Sequence, residues 1–237
     1  MIYGAILAGG VGSRVKSANI PKQFIELVGK PVIAYTIENM LKVPRFDAIY
    51  IAVHKEWMIY MEQLISDTFS QSEAAKIYLT EGGKERLDSI RNVTDAICRK
   101  HPVGEDDVIV IHDAARPFVT EKILNDSIDS AAAYGAVVAA LPASDTILHS
   151  LDGAEVSEIP KRSIVYHGQA PDSFNLKKFL DMQATLSDEQ KAVITGTSQI
   201  CTLNGVTLHM VEGDSINFKI TTDSDLLIAE NIIRNQK

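Results

Sequence analysis

Six cations stand where they could act on anions: Arg14, Lys22, Arg86, Arg116, Arg162 and Lys219. Five of the six fall in expected loops near strand ends. The first two belong to Ala5-Ile6-Leu7-Ala8-Gly9-Gly10-Val11-Gly12-Ser13-Arg14, followed by Pro21-Lys22-Gln23-Phe24. Glycines at 9, 10 and 12 let backbone approach a bulky anion without Cβ interference, and the N–H groups of such a turn point at phosphate oxygens. A second such turn, Glu81-Gly82-Gly83-Lys84-Glu85-Arg86, also ends an apolar run. Asp113, at the end of Val108-Ile109-Val110-Ile111-His112, is a candidate Mg²⁺ ligand beside a phosphate cradle. Taken together, these residues describe a site for a triphosphate and a second anion, built on charge neutralisation.

Other chemistries fail on spacing. A dinucleotide fingerprint needs a small residue three places after Gly12, where Val15 stands, and no acidic residue ends the second strand. The glycine turn lacks the Gly-Lys-Ser/Thr of a Walker A loop, and no zincin, nucleophile-elbow or Cys-His pattern occurs. Cys98 and Cys201 have no metal-type spacing. Asp and Glu outnumber Lys and Arg by 31 to 23, for a net charge of −8, which disfavours nucleic acid as a partner. The N-terminal apolar run breaks at Gly9, too early for a signal peptide or a membrane span, so a cytoplasmic protein without membrane attachment is expected.

The elements that must position these residues alternate between β and α. Strands are expected at 49–53, 76–80, 108–112 and 136–141, with helices from Pro31, over 55–69, from Leu87 and over 121–134. The 237 residues, 46% hydrophobic, suit one α/β domain with a mostly parallel sheet. Alternation stops at Pro142. Residues 143–169 read as a projecting β-arm around the Asp152-Gly153 turn, with edges that pairing with a second subunit would cover. Helices at 177–184 and 187–193, a strand at 206–211 and a final helix capped by Thr222-Asp223-Ser224-Asp225 complete the chain.

Leu7-Ala8-Gly9-Gly10-x-Gly12-Ser13-Arg14 with Pro21-Lys22-Gln23-Phe24 resembles the nucleotide-binding signature of the cytidylyltransferases of the isoprenoid and wall-teichoic-acid type. Later motifs match in order: Gly82-Gly83-x-x-Arg86-x-x-Ser89, His112-Asp113-Ala114-Ala115-Arg116-Pro117, Asp145-Thr146, Arg162, Gln169-x-Pro171, Thr195 and Asn217-x-Lys219. The resemblance covers essentially the whole chain. It implies a Rossmann-like three-layer nucleotidyltransferase domain that is homodimeric through its arm and uses CTP, Mg²⁺ and a polyol phosphate.

Carried over residue by residue, the resemblance implies that Leu7, Ala8, Gly9, Gly10, Gly12, Ser13, Gly82, Gly83, Arg86, Ser89, Asp113 and Ala114 hold CTP, and that Asp113 positions the metal. Arg14, Lys22 and Lys219 would be the catalytic cations around the α-phosphate. Asp113, Arg116, Thr146, Arg162, Thr195 and Lys219 would face the acceptor, some of them supplied across the dimer by the arm.

Of the family's two branches, one uses 2-C-methyl-D-erythritol 4-phosphate and the other D-ribitol 5-phosphate. Tyr35-Thr36-Ile37-Glu38, Tyr166-x-Gly168-Gln169 and Asn217-Phe218-Lys219-Ile220-Thr221-Thr222 resemble the ribitol branch, whereas the erythritol branch usually has a tryptophan where Tyr166 stands. The alternatives are the erythritol-branch enzyme and a non-catalytic nucleotide-binding protein. Ala170 and Asp172 stand where the family usually has Thr and Gln, and Gly196 replaces a commonly acidic residue after Thr195.

Overall fold

The computed structural model describes residues 1–10 and 20–235. The first half runs β1 (Ile2–Ala8), a short hairpin of β2 (Glu26–Leu27) and β3 (Lys30–Pro31), α1 (Val32–Leu41), β4 (Ala48–Val53), α2 (Met58–Thr68), α3 (Gln71–Ala74), β5 (Ile77–Glu81), α4 (Arg86–Lys100) and β6 (Val108–Asp113). The second half runs α5 (Glu121–Tyr134), β7 (Ala136–Pro142), β8 (Tyr166–Asn175), α6 (Leu176–Ala184), α7 (Asp188–Val193), α8 (Gln199–Leu203), β9 (His209–Glu212) and α9 (Asp223–Asn235).

The main sheet has the order β5-β4-β1-β6-β8-β7-β9. The pairs β5/β4, β4/β1, β1/β6 and β7/β9 are parallel, while β8 runs antiparallel to both β6 and β7. Every residue of β4 and β6 is buried, as expected of parallel strands covered on both faces. Alternate side chains go to opposite layers. Ile49, Ile51, Val108 and Val110 pack with α1, α2 and α5; Tyr50, Ala52, Ile109 and Ile111 pack with α4, α6 and α8. The result is the expected three-layer α/β architecture with a mostly parallel sheet.

From β1 the chain winds outward through β4 to β5, then returns to place β6 on the other side of β1. This reversal opens a crevice beyond the carboxyl ends of β1 and β6, where ligands of open α/β sheets bind. The register puts Leu7 opposite Asp113, so the glycine turn and the Asp113 turn leave the sheet side by side.

Two expectations need correction. The arm was expected to run to Gln169, but Tyr166–Asn175 is the sheet's antiparallel strand, inserted between β6 and β7. Gly168, Pro171, Asp172 and Asn175 lower its local β propensity, and the ladder skips Ala170 and Pro171 opposite Val138/Ala139. The strand forms because long-range pairing outweighs propensity. The last strand is also shorter than expected: β9 covers only His209–Glu212, the stretch in register with Val137–Ala140, and Val206 is 39% exposed.

Residues 143–165 hold no strand of the main sheet. A bridge between His149 and Glu158 closes the expected turn, with Gly153 at φ +77°. Leu148, Leu151, Val156, Ile159 and Ile164 are exposed along this segment. At the other end of the chain, the expected capping box is present: Thr222 Oγ1 accepts from Asp225 N, and the Asp225 carboxylate accepts from Thr222 N. Among the described residues no helix is long and apolar enough to cross a membrane.

Candidate active site

The two glycine turns meet in space. A Cβ on Gly82 would lie 3.1 Å from Gly9 Cα, and one on Gly9 would lie 3.2 Å from Ser89 Oγ. Ser89, in the first turn of α4, accepts a hydrogen bond from Gly83 N at 3.0 Å, which ties the second turn to its helix. Gly83 has no room for a side chain: an added Cβ would fall 2.0 Å from Asp88 Cβ and 2.9 Å from the Asp88 carbonyl carbon. Gly83→Ala is therefore expected to cost about 1–3 kcal/mol and to weaken nucleotide binding. Thermal unfolding together with a CTP titration checks this, and an unchanged midpoint would mean that the turn can rearrange.

Gln23, 3% exposed, clamps the start of the first turn. Its Nε2 donates to Ala8 O at 2.7 Å and Gly10 O at 2.9 Å. Its place in the Pro21-Lys22-Gln23-Phe24 motif is the only trace of this role in the sequence. Gly12, Ser13 and Arg14 lie outside the described residues.

Asp113 is the electrostatic centre. Its carboxylate lies 2.6 Å from Arg86 Nη1, 3.0 Å from Lys219 Nζ and 3.4 Å from Arg116 Nε. Burial opposes its charge, but Arg86, Lys219 and Arg116 outweigh that and hold the carboxyl well below the usual carboxylate range. His112 beside it is fully buried, and burial pushes its pKa down to about 4, so the imidazole is neutral at pH 7. Its Nε2 faces Arg116 O at 3.2 Å, which steadies the turn that carries Asp113 and Arg116.

Lys219 reaches this centre from the loop before α9. Phe218 and Ile220 on either side of it pack with Phe118, Leu27 and α9. Asn217 joins that loop to β8: its Nδ2 donates to Ala170 O at 2.8 Å, its carbonyl accepts from Arg116 Nη1 at 2.7 Å, and Gln169 Nε2 donates to Asp214 O at 2.9 Å. Gln169 and Asn217 appear in the sequence motifs without a role. They prove to be positioning residues, and no local pattern pairs side chains that are 48 positions apart.

Two cavities open from this centre. One, of about 320 Å³, is lined by Leu7, Gly9, Gly10, Lys22, Gly83 and Ser89 together with Ala114 and Ala115. The other, of about 330 Å³, is lined by Arg116, Gln169, Asp172, Thr195, Gly196 and Ser198. Both include Arg86, Asp113 and Lys219 in their walls, so two anionic ligands would meet across one cluster of cations. Ala8 and Gly82, expected to hold CTP, line neither cavity: Ala8 is buried in the core and Gly82 lies against Gly9. Thr146 and Arg162 line neither lobe; both are exposed, and Arg162 Nη1 donates to Ser144 O at 3.2 Å. Asp172, which carried no assigned role, is buried in the second lobe, where burial raises its pKa against the hydrogen bond from Ser198.

The chain matches the model of the family described as IspD, 2-C-methyl-D-erythritol 4-phosphate cytidylyltransferase, over residues 2–235. It is 38% identical over 233 residues to a ribitol-5-phosphate cytidylyltransferase of Streptococcus pneumoniae serotype 2 (strain D39 / NCTC 7466), covering 98% of this chain and 99% of that protein. Among solved structures it is similar to 4-diphosphocytidyl-2C-methyl-D-erythritol synthase from Anaerococcus prevotii DSM 20548, with a TM-score of 0.80, 24% identity and 98% coverage of each chain. It is also similar to 2-C-methyl-D-erythritol 4-phosphate cytidylyltransferase from Francisella tularensis, with a TM-score of 0.78 and 26% identity, covering 96% of this chain and 97% of that one. Because the family match runs from the first strand to the last helix, the chain belongs to the 2-C-methyl-D-erythritol 4-phosphate cytidylyltransferase family and is a cytidylyltransferase.

Proposed function

We propose that the chain transfers CMP from CTP to D-ribitol 5-phosphate, giving CDP-ribitol and pyrophosphate. The observation that carries this reading is the pair of lobes sharing Arg86, Asp113 and Lys219. CTP occupies the glycine-lined lobe and the polyol phosphate the other. An oxygen of the acceptor phosphate attacks the α-phosphorus in line. The new P–O bond forms as the bond to the bridging oxygen of the β-phosphate breaks, and pyrophosphate leaves with that electron pair. The attacking phosphate is already ionised at neutral pH, so no general base is required. The work of the side chains is to align two anions and offset their repulsion. Lys219 and Arg86 reach both ligands, and Lys22 adds charge around the nucleotide phosphates; for Arg14, outside the described residues, the same role rests on the motif alone.

Mg²⁺ is bound in such sites by one or two carboxylates together with substrate phosphates. A nucleotide lobe with Asp113 in its wall suits that arrangement, since most metal ligands would then come from CTP and water. Among the described residues no group of three or more acidic, His or Cys side chains could hold a metal without the nucleotide. When bound, Mg²⁺ supplies further neutralisation of phosphate charge.

The ribitol acceptor is preferred over methylerythritol because the relative with 38% identity over nearly the full length is named for ribitol 5-phosphate. Pyrophosphate release from CTP and Mg²⁺ with each acceptor in turn tests the choice. Release with methylerythritol phosphate alone would reverse it, and CTP binding without turnover on either would favour a non-catalytic role.

The exposed apolar residues of 143–165 suit a homodimer in which each arm covers its partner and carries Thr146 and Arg162 toward the partner's acceptor lobe. Deleting residues 148–159 is expected to yield a monomer by light scattering and to raise the acceptor KM about tenfold or more, in line with losing a charged ligand contact. A truncated dimer with an unchanged acceptor KM would remove the arm from this role.

A further inference from the structure

Ala170, Asp172 and Gly196 all line the second lobe. Asp172 is the polar one. It is 7% exposed and lies where β8 pairs with Ile111 of β6 on one side and Val138 of β7 on the other, so its backbone is held in the sheet. Ser198 Oγ donates to Asp172 Oδ1 at 2.7 Å. Ser198 occupies the N-cap of α8 yet makes no capping bond, so its hydroxyl serves the carboxyl rather than the helix. Arg86, Arg116 and Lys219 in the same lobe make their direct ion pairs with Asp113, and Arg86 acts on Asp172 only through its charge. A buried carboxyl held by the Ser198 hydroxyl, with Thr197 beside it and no ion pair among the described residues, costs folding energy, and it lies in the wall of a ligand lobe.

We infer that Asp172, fixed by Ser198, accepts hydrogen bonds from the hydroxyls of the polyol-phosphate acceptor and thereby sets which acceptor is used. The inference rests on reading the second lobe as the acceptor site. Within that lobe the chemistry divides: Arg116 and Lys219 suit the phosphate, and the carboxyl suits neutral hydroxyl donors. A buried acceptor built for a hydroxyl discriminates strongly against an analogue that lacks it, because the protein group is then left unpaired.

The test compares wild type, Asp172→Asn, Asp172→Ala and Ser198→Ala in pyrophosphate release with CTP and Mg²⁺. The acceptors are ribitol 5-phosphate, 2-C-methyl-D-erythritol 4-phosphate and singly deoxygenated pentitol phosphates, and thermal midpoints monitor folding. In Asp172→Ala the acceptor KM is expected to rise roughly tenfold or more while the CTP KM stays within about twofold. The penalty that wild type shows for one deoxygenated acceptor should shrink in the variant. Should Asp172→Ala lower the midpoint, Asp172→Asn and Ser198→Ala carry the same comparison with a smaller change of shape. Wild type that uses another acceptor of the panel in place of ribitol 5-phosphate overturns the ribitol reading alone, and the Asp172 comparison is then made on that acceptor. An unchanged acceptor KM in folded variants, or a deoxygenation penalty as large as in wild type, overturns the inference.

Discussion

Lys219→Ala is expected to lower kcat by about a hundredfold to a thousandfold, the loss of roughly 3–4 kcal/mol that follows removal of one preorganised contact to charge developing in a transition state. Lys219 Nζ stands 3.0 Å from Asp113 and borders both lobes, so it lies where the two phosphates must meet. A residue that bound substrate and transition state equally would raise KM and leave kcat intact. Lys219→Arg keeps the charge but replaces a compact ammonium with a planar fork, and is expected to restore activity only in part. Lys22→Ala should show a loss similar to that of Lys219→Ala. If both lysines act on one α-phosphate, the double variant will lose less than the sum of the two. Steady-state pyrophosphate release checks all four proteins, and an additive double variant would separate the two roles.

Asp113→Ala is expected to affect both folding and turnover. It leaves Arg86, Arg116 and Lys219 crowded without their shared counter-charge. Breaking a buried pair from one side costs about 3–5 kcal/mol, and the lower end applies here because Arg86 and Lys219 remain partly open to water and can relax into it. The pH dependence carries a sign. A carboxyl whose folded pKa is depressed contributes stability that is fully present above its unfolded value, near 4, and is lost as pH falls below that value. Wild type should therefore lose stability below about pH 4 more steeply than Asp113→Asn, a difference that urea unfolding across that range measures. Parallel curves would mean that the three cations do not depend on Asp113. Turnover should fall at least a hundredfold as the cluster loses its geometry, with a higher Mg²⁺ requirement in the residual activity.

Much of the site was legible in the sequence because strand ends are legible. Gly9, Gly10, Gly83, Arg86, Asp113 and Arg116 each follow or adjoin an apolar run, and each lines one or both of the two lobes. Residues that act through partners were not legible. Gln23 gains its meaning from the carbonyls of Ala8 and Gly10, and Asn217 gains its meaning from Ala170 and Arg116. Thr146 and Arg162 carry a family motif, but within one chain they remain on the arm.

By itself the sequence determined the alternation of strands and helices, the positions of the loops that bear charge and the type of ligand those loops suit. These follow from local periodicity and turn chemistry, which act over a few residues. Tertiary structure alone decided that Tyr166–Asn175 enters the sheet against its local propensity, that one carboxylate gathers three cations, and that Asp172 faces the second lobe rather than solvent. Those outcomes depend on pairings between distant segments, where burial and ladder hydrogen bonds outweigh what any short stretch prefers.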